Sequence, residues 1–137
     1  MTEVNYIVLV NDRPEGDAAL TWALTTVNAL GHTASATVHV VAAGGADAPG
    51  SPNYVAPQRT DDLAARLRAS GVTHEIHSGI DDPASIIVRL AEHHNADMVV
   101  IGIRHRSAAM KMLLGSYTQR ILLDTPCPVV AVKAPAN

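Results

Sequence analysis

Short apolar runs alternate along the chain with longer segments in which apolar residues recur every three or four positions. Runs of this length, rich in Val and Ile, are typical of buried parallel strands. The longer segments are typical of amphipathic helices. Strict alternation predicts an α/β fold of the order β-α-β-α-β-α-β-α-β, with a five-stranded parallel sheet wrapped by helices. The predicted strands are residues 6–10, 34–41, 72–78 (the weakest), 97–102 and 128–133.

Start and stop residues bound the predicted helices. The first helix begins near Pro14 and stops at Gly31, because proline suits a first turn and glycine suits a helix end. Its apolar face is Leu20, Ala23, Leu24, Val27 and Leu30. The other predicted starts are Thr60, Asp82 followed by Pro83, and a capping box of Ser116 with Gln119; the predicted stops are Gly71 and Asp124 or Thr125 before Pro126.

The segment 42–57 is rich in Gly, Pro and Ala and predicts an extended loop. It is not a domain boundary, because the segment that follows it is too short to fold as a domain of its own. We therefore expect a single domain over residues 1–137.

Composition and charge narrow the class of protein. Apolar residues make up 47% of the chain and charged residues 17%, as in soluble globular proteins. The net charge of −3 gives no general attraction to nucleic acid or to anionic membranes. No apolar run reaches membrane-spanning length, the first ten residues do not resemble a signal peptide, and Cys127 is the sole cysteine. We expect a cytoplasmic protein.

The loop after the fourth strand carries the strongest functional signal. It begins at Gly102, contains a basic cluster within 104–111 and ends in Gly115 and Ser116 before a helix. A helix N-terminus presents unpaired N–H groups and a partial positive charge, which suits a phosphate. The alternative is an ordinary turn with solvated cations, since the spacing matches neither a Walker loop nor a dinucleotide fingerprint.

Residues 102–133, "GIRHRSAAMKMLLGSYTQRILLDTPCPVVAVK", resemble the C-terminal signature of the universal stress protein (UspA-like) family. "IVLVNDRPEGDAALTWA" resembles the first strand, turn and helix of that family, and "VHVV" its second strand. The resemblance implies a doubly wound sheet of order 3-2-1-4-5 with helices on both faces, of the adenine nucleotide alpha hydrolase-like type. It also implies a homodimer formed through the strand at 128–133, and binding of an adenine nucleotide in some members.

The resemblance also implies roles for particular residues. Asp12 would lie near the ribose and phosphates, Val40 would offer its backbone to adenine, and Gly102 would face the ribose or α-phosphate. Gly115, Ser116 and Thr118 would hold phosphate oxygens, with Tyr117 supplying a further donor in the same turn.

One residue departs from the signature. Three positions after Gly102 the family has glycine, whereas this chain has His105. The imidazole takes space on the path of the phosphates, and a positive φ there would cost a non-glycine residue about 1–2 kcal/mol. Arg104 and Arg106 could add charge-assisted contacts that offset this loss.

We therefore expect a stress-linked sensor or regulator that binds ATP, ADP or AMP, with or without Mg²⁺, and that is not primarily an enzyme. The alternative is an interaction module that binds no nucleotide because His105 blocks the pocket. The protein partner that would read either state is not indicated by the sequence.

Other classes fit less well. A phosphoacceptor receiver domain would use Asp12 and Lys133, but it needs an aspartate at the end of the third strand, which is missing. A hydrolase would need a general base, for which only Asp12 or His105 is offered. The seven histidines show no zinc-site spacing, so we expect surface histidines and no metal. Cys127, between two prolines, is expected to be a packed thiol.

Overall fold

The structure is a computed structural model that describes residues 4–11, 14–32, 35–43, 57–77, 82–103 and 116–133. Its elements follow the predicted alternation of strands and helices. In chain order they are β1 (Val4–Val10), α1 (Pro14–Ala29), β2 (Ala36–Ala42), α2 (Pro57–Ser70), β3 (Thr73–His77), α3 (Pro83–His94), β4 (Met98–Ile103), α4 (Ser116–Asp124) and β5 (Val129–Lys133).

The strands form one five-stranded parallel sheet in the order β3-β2-β1-β4-β5, which confirms the predicted fold class and strand order. The chain runs outwards from β1 to β3, then crosses to β4 on the other side of β1. Because such crossovers are right-handed, the two directions place helices on opposite faces of the sheet.

Two apolar clusters fill the spaces between the sheet and its helices. The first joins one face of the sheet to α1 and α2 through residues such as Val8, Leu20 and Leu67. The second joins the other face to α3 and α4 through Ile7, Ile87 and Ile121. Neighbouring residues of a strand point to opposite faces, so Ile7 and Val8 serve different clusters.

Helix ends are predicted well where a backbone conformation demands a particular residue. Gly31 and Gly71 have φ of 74° and 76°, which favours glycine, and they follow α1 and α2 as predicted. The predicted start at Thr60 is wrong, because α2 begins at Pro57. The placement of Leu30 on the core face is also wrong: it lies beyond the end of α1 and is 56% exposed.

The start of α3 is fixed by Asp82, as predicted. Its carboxylate accepts a hydrogen bond from the Ala84 backbone N–H at 3.1 Å, with Pro83 in the first turn. The same carboxylate forms an ion pair with Arg120 of α4, and Arg120 also donates to Ser85 Oγ at 2.8 Å. One aspartate thus caps α3 and ties α4 to it.

Replacing Asp82 by alanine is expected to lower the free energy of unfolding by about 1–2 kcal/mol, because the cap and the ion pair are both lost. Asp82→Asn keeps a capping oxygen and removes only the charge, so the decrease in the free energy of unfolding is expected to stay below about 1 kcal/mol. Urea denaturation of both variants measures the difference. Equal losses would mean that the ion pair, and not the cap, stabilises this corner.

Most of the predicted loop at 42–57 lies outside the described residues, so its conformation stays a prediction. Within the described part of the chain, no helix combines the length and the apolar character that crossing a membrane requires.

Candidate functional site

The candidate site lies at the carboxyl ends of β1 and β4, where the strand order changes direction. The two strands pair in parallel, with Tyr6 opposite Met98 and Val8 opposite Val100. The chain leaves β1 towards β2 and leaves β4 towards β5, so the two connections diverge. Ligands of open α/β sheets bind in the crevice that such a divergence creates.

One wall of this crevice is the first turn of α1, which packs tightly on both strand ends. A Cβ at Gly102 would lie 1.7 Å from the Glu15 carbonyl oxygen. A Cβ at Gly16 would lie 2.5 Å from the Asn11 backbone nitrogen. Both distances are far inside van der Waals contact. Close packing of α1 therefore explains the glycine at 102 without a ligand.

The N-terminus of α4 has the charge character of an anion site. Its first turn has no acidic residue, whereas α1 has Glu15 and Asp17 in its first turn. Acidic side chains offset the positive end of the α1 dipole, whereas the first turn of α4, like that of α2, has none. The contacts of Arg120 with Asp82 and Ser85 hold α4 beside α3.

Three of the predicted nucleotide contacts that the structure describes lie in two elements, α4 and β2. Tyr117 is 37% exposed and Thr118 is half-buried in the first turn of α4. Val40 lies inside β2 and is fully buried, with register partners in both β1 and β3. β2 ends at Ala42, two residues later, which is also buried and pairs with Val10 of β1. Outside the described part fall Asp12, Arg104, His105, Arg106, Gly115 and the side chain of Ser116.

The structure also brings together histidines that sequence reasoning treated as surface residues. That interpretation is wrong for His39, which is 1% exposed in the middle of β2. Its ring contacts His77 of β3 and stacks on His94 of α3. The position of His39 inside an apolar run was a signal of burial, but its partners depend on the strand order.

Cys127 packs against the cluster on the α3 and α4 face, in agreement with the predicted packed thiol. Burial raises the pKa of the Cys127 thiol, and the negative charge of Asp97 raises it further. Such a thiol is a poor nucleophile at neutral pH. An open cleft beside it lies at the amino ends of the strands, far from the β1–β4 crevice, and is lined by Ala91, Glu92, Asn95, Ala96, Pro126 and Cys127.

The strand order defines a doubly wound α/β protein with a crevice where the order changes direction. Residues 5–133 match the model of the universal stress protein family. The chain belongs to this family.

Individual relatives agree with this assignment. A universal stress protein of Mycolicibacterium smegmatis is 38% identical over 96 residues, which cover 69% of this chain and 73% of the relative. Among solved structures, a universal stress protein from Archaeoglobus fulgidus superimposes with a TM-score of 0.71 at 24% identity, covering 97% of this chain and 96% of the other.

Two further solved structures of the same fold contain nucleotides. A universal stress protein family protein from Arabidopsis thaliana with AMP bound has a TM-score of 0.66 at 18% identity, with 97% of this chain and 93% of the other covered. A universal stress protein from Archaeoglobus fulgidus in complex with dAMP has a TM-score of 0.60 at 21% identity, with 97% and 100% covered.

Proposed function

We propose that this protein binds an adenine nucleotide at the carboxyl ends of β1 and β4 and acts as a stress-linked sensor or regulator. The observation that carries the proposal is the N-terminus of α4 beside this crevice, with no acidic residue in its first turn. The bound AMP and dAMP of two structural neighbours support the choice of ligand.

The phosphates would lie against the first turn of α4. The backbone N–H groups of this turn point out of the N-terminal end of the helix, where the helix dipole favours an anion. Hydrogen bonds to charged oxygens contribute about 1.5–3 kcal/mol each before the costs of association. Three or four such contacts give about 5–12 kcal/mol before those costs, whereas micromolar affinity corresponds to about 8 kcal/mol net, so contacts with the ribose and adenine must contribute as well.

Binding would act as a signal by changing which conformation of the adjoining loop is populated. A ligand shifts such an equilibrium only by its difference in affinity for the two states. The proposed mechanism is ordering of the loop at 103–115 around the phosphates; apart from Ile103, this loop lies outside the described residues. No catalytic step is part of this proposal, and Mg²⁺ is not required by it.

The second candidate is a homodimeric interaction module whose pocket is closed by His105. It rests on the substitution of the signature glycine by a bulky residue. Within the described part of the chain β5 is an edge strand of the sheet, and pairing of its outer edge with a second copy is the dimer that we propose for either function.

Calorimetric titration with ATP, ADP and AMP is expected to show micromolar binding by the native protein, with one nucleotide per chain. His105→Gly is expected to bind more tightly, and ATP is expected to gain most because its phosphate chain is longest. His105→Ala is the matched control. It removes the ring but keeps a Cβ. Higher nucleotide affinity in both variants would indicate that the ring blocks the site, whereas higher affinity in the glycine variant alone would indicate backbone strain at position 105.

Two results separate the candidate functions. Binding by the glycine variant but not by the native protein would support the closed interaction module. Absence of binding by both would contradict the nucleotide proposal altogether. Sedimentation of the same samples tests the dimer independently of the ligand.

A further inference from the structure

A group of potential metal ligands lies on the α3 side of the sheet, over β2 and β3. In the parallel register, His39 of β2 is opposite Glu75 of β3. Register partners point to the same face, and so does His77, two residues after Glu75. The strand pairing thus gathers two imidazoles and one carboxylate on one side of the sheet.

The distances within this group suit a metal ion. His39 Nδ1 lies 3.3 Å from His77 Nε2, and His77 Nε2 lies 3.9 Å from Glu75 Oε1. One ligand atom from each residue can be chosen so that all lie within 4.8 Å of one another. Zn²⁺ binds histidine nitrogens at about 2.0–2.1 Å in tetrahedral sites, which sets neighbouring ligand atoms about 3.3–3.4 Å apart.

The two imidazoles therefore already have the separation of zinc ligands. The Glu75 side chain is 58% exposed, so it can move the few tenths of an ångström to about 1 Å that the tetrahedral spacing requires. His39 is buried and held in place by its neighbours.

Asn5 of β1 orients His39 in the way that outer partners orient metal-binding histidines. Asn5 Nδ2 donates to the His94 backbone carbonyl at 3.4 Å, which directs its Oδ1 to His39 Nε2, also at 3.4 Å. An acceptor at this position places the His39 proton on Nε2 and a lone pair on Nδ1, facing His77. The His94 ring stacks on His39 at 4.3 Å between centroids and fixes the plane of the imidazole.

We propose that His39 Nδ1, His77 Nε2 and the Glu75 carboxylate bind a divalent transition-metal ion, with Zn²⁺ as the best fit. Two histidines and one glutamate are a known zinc donor set that leaves one coordination position open. The same contact without metal is a hydrogen bond from His77 Nε2–H to His39 Nδ1. When zinc binds Nε2, the single proton of the neutral His77 imidazole moves to Nδ1, so the ring changes tautomer and releases no proton.

Such an ion would join β3 to the centre of the sheet. β3 is an edge strand of five residues, none of which is fully buried. A ligand that binds only the folded protein stabilises it according to its concentration relative to its dissociation constant. The bound metal would therefore hold the edge strand in its register with β2.

The test uses protein without a polyhistidine tag, treated with EDTA and dialysed, then titrated calorimetrically with ZnCl₂. We expect one equivalent of Zn²⁺ to bind the native protein. His77→Ala and Glu75→Gln are expected to weaken binding by about tenfold or more, and Asn5→Leu by about 10–100-fold, as for other losses of a metal ligand or its orienting partner.

His74→Ala is the matched control, because His74 is also in β3 but its Nδ1 lies 2.9 Å from the Val72 carbonyl oxygen, away from the group. Its affinity is expected to stay within about twofold of native, since no ligand is lost. Circular dichroism checks that each variant is folded, and the exposed Glu75 gives a test that does not disturb the core. Absence of binding by the native protein, or equal affinities of the His77 and His74 variants, would overturn the proposal.

Discussion

Gly102→Ala is expected to lower the free energy of unfolding by about 3 kcal/mol or more. The new Cβ would lie 1.7 Å from the Glu15 carbonyl oxygen and 2.3 Å from its carbonyl carbon. These are backbone atoms in the first turn of α1, so no side-chain rotation relieves the clash, and α1 or β4 must shift. Urea denaturation followed by circular dichroism measures the loss.

Gly71→Ala separates this steric effect from the general cost of replacing a glycine. A Cβ at Gly71 has no atom within 4 Å, but the φ of 76° strains any other residue by about 1–2 kcal/mol. A loss for Gly102→Ala no greater than for Gly71→Ala would contradict the packing of α1 on β4. Because this packing alone requires glycine, reduced nucleotide binding by the Gly102 variant would not demonstrate a direct contact.

Leu20→Ala is expected to cost about 2–5 kcal/mol, because it leaves a cavity in the cluster between the sheet and α1. Leu20 is fully buried in that cluster. Leu30→Ala is expected to change the unfolding free energy by less than about 0.5 kcal/mol, because Leu30 lies beyond the end of α1 and is 56% exposed. The two substitutions remove the same atoms, so their difference isolates burial.

Equilibrium unfolding in urea measures both leucine variants under the same conditions. The periodicity of the sequence places Leu20 and Leu30 on one face, and equal losses would support that pattern. The structure instead predicts a much larger loss of stability for Leu20→Ala than for Leu30→Ala. A cost at Leu30 as large as at Leu20 would mean that Leu30 is covered in the protein in solution, as by a second copy of the chain.

The proposed nucleotide and metal sites lie on different parts of the sheet and can be tested separately. The nucleotide crevice is at the carboxyl ends of β1 and β4, whereas the histidine group lies over β2 and β3. Loss of zinc binding in His77→Ala is not expected to affect nucleotide titrations. An effect of zinc binding on nucleotide affinity would require that the register between β2 and β3 influences the crevice.

The sequence alone determined the order of helices and strands, and several of their ends. These depend on nearby residues: alternation of apolar runs sets the elements, and Gly31, Gly71 and Asp82 mark ends through their own backbone or side-chain chemistry. Pro57 is an equally local signal, because proline suits the first turn of a helix, and it marks the start of α2 where Thr60 does not. The strand order followed from the resemblance to a family, not from the pattern itself.

Tertiary structure decided which side chains meet and which are covered. His39 and His77 are 38 residues apart, and only the parallel register of β2 and β3 brings their rings into contact. The requirement for glycine at 102 arises from Glu15, a residue of a different element. Burial and contact between distant residues depend on how elements pack, whereas periodicity and capping depend on neighbours along the chain.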